Sequence, residues 1–120
     1  MVSFVKYVTF DHYILNEIGE PKSTGPGHDG LIEWALWWEA NREKLDVGRT
    51  WVGESLVCTT FLGLDYNWRP EGPPILWETE IFHGPMNGEC QRCAGGREQA
   101  EAMHAQVLAK VEAALEKAKL

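Results

Sequence analysis

From Arg97 to Leu120 the chain contains no glycine and no proline, and Ala100, His104, Val107, Leu108, Val111, Ala114, Leu115 and Ala118 recur along one helical stripe. Such a helix has to bury that stripe against an apolar surface, and Lys117 and Lys119 suit its negative C-terminal end. The residues upstream supply the surface. Ile75 to Phe82 alternates Ile75, Trp77, Thr79 and Ile81 against Leu76, Glu78, Glu80 and Phe82, the period of a strand with one more polar face. Arg49 to Val52 and Glu54 to Leu64 read as two further strands. Asp65 to Pro74, rich in Gly, Pro and Asn, then makes a long hairpin loop of the kind that holds ligands or partners.

The first half of the chain has the same mixed character. Val2 to Phe10 and Tyr13 to Leu15 have strand composition, and the glycines and prolines of Gly19 to Gly27 make a loop. Asp29 is placed to cap a helix from about Gly30 to Arg42, with Leu31, Trp34, Ala35 and Trp38 at three- and four-residue spacing. Ile32, Leu36 and Trp37 widen that stripe, so this helix is expected to be covered on more than one side, a subunit contact being one way to do it. His83 to Gly96 reads as turn-rich. With 120 residues there is material for one core. The expected fold is one α+β domain spanning 1–120, a twisted antiparallel sheet of about four to five strands with two helices packed on it.

A net charge of -7 makes long DNA or RNA a poor partner, because backbone binding needs dense Lys and Arg. A small phosphate-bearing molecule needs only a few arginines. No stretch reads as an export signal or a membrane span, so a cytoplasmic location is expected. Three cysteines, an odd number, favour thiols or a metal site over a disulfide framework.

Four groups of residues could carry chemistry. Cys90 and Cys93 have C-x-x-C spacing and with His83 could hold zinc, helped by His104 or Cys58; the absence of a second paired motif favours free thiols and no metal. Glu78 and Glu80 share one face of a predicted strand, so Glu78 with Asp65 and His104 is the acid–base alternative. A solvated sheet face carries alternating carboxylates equally well, and a histidine on an apolar helix stripe is more often a hydrogen-bonded core residue. Trp34, Trp37 and Trp38, with Arg42 a turn beyond, offer flat faces and a cation for a nucleobase and its phosphate, although aromatic stripes usually serve as core. Arg49, Arg69, Arg92 and Arg97 are further anion ligands in reserve.

Taken together, Asn16-Glu17-x-Gly19-Glu20-Pro21, Trp34, Trp38-Glu39, the strings VCTTFLGLDYNW and PPILWETEIF, and His104 in a final helix form a pattern. It resembles a family of small uncharacterised proteins common in tailed-phage genomes, in which strings such as VSTVFLGLD and LFETMVF are expected. The likeness spans Tyr13 to Val107 and matches Glu39, Asp65, Glu78, Thr79, Arg92 and His104. The chain departs from the pattern at Tyr66 for an expected His, Glu80 for Met and Cys93 for Tyr. The resemblance implies a phage or prophage origin and brings no activity with it.

With the phage origin that the resemblance implies, the leading expectation is a non-catalytic, homo-oligomeric binding protein in the host cytoplasm, one that sequesters a nucleotide-derived host signal and so counters defence. Trp34, Trp38, Arg42 and Arg92 are its expected ligand contacts, in a pocket at a subunit interface, with no cofactor. The alternatives are a small hydrolase or nucleotide-modifying enzyme built on Asp65, Glu78 and His104, and a module whose apolar helix docks on a host protein.

Overall fold

A computed structural model describes residues 11–69 and 71–120, and in it the chain is an α+β fold built on a twisted antiparallel sheet. A short ribbon pairs β1 (Tyr13–Leu15) with β2 (Pro21–Ser23), and helix α1 (Gly27–Ala40) follows, with a 3-10 turn at Arg42–Lys44. The main sheet runs in the order β3 (Asp46–Val52), β4 (Ser55–Phe61), β5 (Ile75–Phe82), β6 (Cys90–Ala94), each strand antiparallel to the next. Helix α2 (Arg97–Ala118) crosses one face of it.

The register explains the core. Thr50 lies opposite Val57 and Val57 opposite Ile81; Gly48, Thr59, Thr79 and Gln91 form the next row, and Phe61, Trp77 and Cys93 the one after. Directly opposed residues share a face, so these three rows line the side that α2 covers. Val57, Thr59, Phe61, Trp77, Thr79 and Ile81 are all buried there against Ala100, Met103, Val107 and Val111 of α2. The other face carries Trp51, Leu56 and Phe82 in one row, Arg49, Cys58, Glu80 and Cys90 in the next, and Asp46, Thr60, Glu78 and Arg92 in a third.

Several boundaries depart from the sequence reading. Helix α1 begins at Gly27, so Asp29 lies inside its first turn, where its carboxylate still faces the positive end of the helix dipole. Pro21–Ser23 is a strand, with Pro21 at the ribbon's end where no ladder N–H is needed. Cys90–Ala94 is an edge strand of the described sheet; its mixed polar sequence hides the period, and pairing with β5 supplies the order. Met103 joins the buried stripe of α2 and Ala118 lies outside it. The strand read at Val2 to Phe10 lies outside the described residues. No described helix is long and apolar enough to cross a membrane.

Candidate functional site

The β4–β5 connection is fastened by two short side chains. Asp65 accepts the backbone N–H groups of Asn67 at 2.7 Å and Ile75 at 3.0 Å, closing the loop at both ends. The amide of Asn67 donates to the carbonyls of Glu71 and Pro73, and its oxygen accepts the N–H of Arg69. Loops of this length become ordered when their own polar groups satisfy the backbone. Asp65, read above as a candidate acid or base, thus acts as a clasp.

Between the clasped loop and β6 lies an open cleft of about 590 Å³. Tyr66, Trp68, Arg69, Ile75, Arg92 and Cys93 are among its lining residues. Tyr66 is anchored by its own N–H to the carbonyl of Ile75, and its ring stands edge-on to Trp68 with centroids 6.4 Å apart. The guanidinium of Arg92 lies 4.8 Å over the Tyr66 ring, a cation–π arrangement. Its Nε donates to Glu78 at 2.8 Å across the strand pair, and Glu78 in turn is the residue directly opposite Arg92 in the register. Flat ring faces, one oriented cation and a second arginine therefore share one recess of ligand-pocket size.

The tryptophans of α1 have a different setting. Trp34 and Trp38 meet in a tilted arrangement with centroids 5.0 Å apart, Trp34 also meets His12, and Trp37 and Trp38 both meet Phe61. Gly63, at φ 74°, lets them approach: a Cβ there would overlap both Trp38 and Trp34. Among the described residues, the buried Nε1 of Trp34 has no hydrogen-bond partner. Arg42 pairs with Glu39 at 3.1 Å on the exposed surface. Of the four expected ligand contacts, Arg92 alone lines the cleft, while Trp34 and Trp38 pack as α1's inner face.

The acid–base alternative is divided by the sheet. Glu78 points to the polar face with Arg92, whereas His104 on α2 reaches the covered face. There its Nδ1 lies 2.6 Å from Thr59 Oγ1, which lies 2.6 Å from Thr79 Oγ1, and its Nε2 lies 2.9 Å from Thr50 Oγ1. Gly48 leaves room for the ring, since a Cβ there would sit 2.9 Å from Nε2. Burial holds the imidazole pKa below its ordinary value, which favours the neutral ring at pH 7, with one nitrogen donating and the other accepting along the hydroxyl chain. A neighbouring cavity of about 170 Å³, bounded by Thr79, Gln91, Val107 and Lys110, is too small for a nucleotide.

The C-x-x-C pair is divided in the same way. Cys90 is registered with Glu80 and Cys93 with Trp77, so the two thiols point to opposite faces of one strand. His83 belongs to the β5–β6 turn and stacks on Trp51 with centroids 6.4 Å apart. All three cysteines are free; burial raises the Cys93 thiol pKa, and burial raises that of Cys58, reinforced by Asp46 and Glu80 against Arg49. Among the described residues no three His, Cys, Asp or Glu side chains are grouped to hold a metal ion.

Sequence reasoning did not assign Tyr66 or Trp68 to a site, nor Thr50 and Thr59 to His104. For the first pair the signal was available, two aromatics and an arginine within a loop flagged for its length; for the threonines only the register reveals it. Comparison of the chain with protein-family models, with curated proteins and with solved structures finds no match.

Proposed function

We propose that the chain is a non-catalytic binding protein for a small aromatic anion of the nucleotide type, taken up in the cleft between the Tyr66–Trp68 loop and β6. One observation carries this reading: Arg92 lies over Tyr66, beside Trp68 and Arg69, in a single recess of about 590 Å³. Base stacking on an aromatic side chain contributes about 1–3 kcal/mol, and an arginine gives a phosphate an oriented pair of donors. Glu78 and His104 lie on opposite faces of the sheet, which favours holding a ligand over acid–base turnover. Under the resemblance to small phage proteins, the fuller reading is sequestration of a nucleotide-derived host signal.

A second groove, about 510 Å³ between the ribbon and α1, is lined by Trp37, Lys22 and Lys44 and is the competing location. Calorimetric titration with cyclic di-AMP, ADP-ribose and AMP tests both. One-to-one binding of at least one probe is expected, weakened about tenfold or more by Trp68→Ala and by Arg92→Ala, and unchanged by Lys44→Ala. Undiminished affinity in the first two variants sinks the cleft assignment. Mass spectrometry of the recovered probe decides the rest, since a converted nucleotide refutes a non-catalytic role.

A further inference from the structure

The three carboxylates in and around the Tyr66–Trp68 cleft have different partners. Asp65 accepts the N–H groups of Asn67 and Ile75, and Glu78 accepts Arg92 Nε. Glu71 lines the cleft itself and is exposed, and among the described residues no ion pair joins it to Arg69 or Arg92. Its backbone is fixed. The side-chain amide of Asn67 donates to the carbonyl of Glu71 at 3.1 Å and to that of Pro73 at 2.9 Å, and Gly72, at φ 92°, makes the turn between them. The loop that frames the cleft thus sets a negative charge with no cation of its own into the wall of a site whose aromatic rings and arginines suit an anion.

Specificity is a difference of affinities, and a repulsive charge set against the wrong ligand is one way to make it. We propose that Glu71 makes the cleft selective for nucleotides whose phosphates are all internal, each carrying one negative charge, against those that end in a chain of terminal phosphates. The inference rests on the nucleotide reading of the cleft. Arg92 has its Nε committed to Glu78, which leaves the outer nitrogens of one guanidinium to meet a phosphate, a match for a single charge. A terminal triphosphate carries further charge along the same wall, where Glu71 opposes it. Each added unit of charge about 4–6 Å from the carboxylate weakens binding about three- to sixfold at low salt.

Calorimetric titration of the full chain with cyclic di-AMP, ADP-ribose, AMP and ATP, in magnesium-free buffer at low salt, tests this. All four carry the same adenosine, so the stacking partner is held constant. The better of the two internal-phosphate ligands, cyclic di-AMP or ADP-ribose, should bind about tenfold or more tightly than ATP, with AMP between them. Glu71→Gln should narrow the gap to ATP about threefold or more by raising ATP affinity, and Glu71→Lys should narrow it further, with circular dichroism unchanged in both because the side chain is exposed. Added salt should narrow the gap in the native chain, as screening of an exposed charge requires. ATP bound as tightly as the better internal-phosphate ligand, or AMP bound more tightly, overturns the inference and leaves the nucleotide reading standing. A gap that survives both Glu71 substitutions overturns it too, by assigning the discrimination to the shape of the cleft. Failure of all four ligands to bind refutes the nucleotide reading itself, and the inference with it.

Discussion

The two faces of the four-stranded sheet are made by the same strands and differ in almost every physical respect. On the side under α2, Val57, Thr59, Phe61, Trp77, Thr79 and Ile81 are all within a few per cent of full burial. On the other side the same strands present Cys58, Thr60, Glu78 and Glu80, half-buried, with Trp51 63% exposed on β3. One residue's shift in register would exchange the two sets, so the alternation fixes which side chains hold the fold and which can meet a ligand. Candidate residues divide between them: Thr79 and His104 lie on the covered side, Glu78 and Arg92 on the polar side.

The largest expected contrast is between two tryptophans. Trp77 is fully buried and its Nε1 donates to the carbonyl of Gly95 at 2.7 Å, so Trp77→Ala leaves a cavity and an unpaired acceptor. A loss of about 3–5 kcal/mol is expected in urea unfolding, a large share of a small domain's stability. Trp51→Ala should stay within about 0.5 kcal/mol. Comparable losses would mean that Trp51 is covered in solution and that the faces are less distinct than their burial implies.

A smaller effect probes the polar interior of the covered face. Thr59→Val removes the hydroxyl shared by Thr79 and His104 Nδ1, stranding both, and should cost about 1–3 kcal/mol. Thr50→Val strands only Nε2 and should cost less. If His104→Leu in the Thr59→Val background recovers stability relative to Thr59→Val alone, the penalty belongs to the stranded ring nitrogen.

His104 also gives the two faces different responses to pH. Its folded-state pKa is held below the unfolded value of about 6.5, so near that pH the unfolded chain binds more protons than the folded one. The stabilisation is complete above about pH 6.5 and is lost as pH falls toward the folded-state pKa. Stability measured from pH 8 down to pH 5 should therefore decline, and His104→Gln should flatten part of the slope. A slope identical in the variant would assign the pH dependence to other groups.

Sequence legibility followed the same division. The strand period in Ile75–Phe82 and the helix stripe of Arg97–Leu120 are local properties, so the α+β fold and most of its core could be read directly. The partner of His104 could not, because Thr59 reaches it only through the pairing of β3, β4 and β5 and the crossing of α2. The clustered tryptophans of α1 were visible as residues, but whether an indole stacks on a ligand or packs on Phe61 depends on which side of the helix the sheet occupies. Cys90 and Cys93 show the hazard most clearly: a spacing that converges in a turn diverges on a strand.

The smallest expected change in stability accompanies an expected gain in binding, and it separates structure from function on the polar face. Glu78 accepts Arg92 Nε in a partly exposed pair, of the kind that contributes about 0–1 kcal/mol. Glu78→Gln keeps an acceptor oxygen for Arg92 and removes the negative charge beside the cleft. Unfolding free energy should therefore change by about 0.5 kcal/mol or less. An anionic nucleotide in the cleft loses a repulsion of about 1 kcal/mol, equivalent to an affinity rise of about fivefold at low ionic strength. The gain should shrink as salt is added. Weaker binding in Glu78→Gln would mean that the carboxylate's charge is needed to hold Arg92 over Tyr66, whereas unchanged binding at every salt concentration would place the nucleotide away from Arg92 altogether.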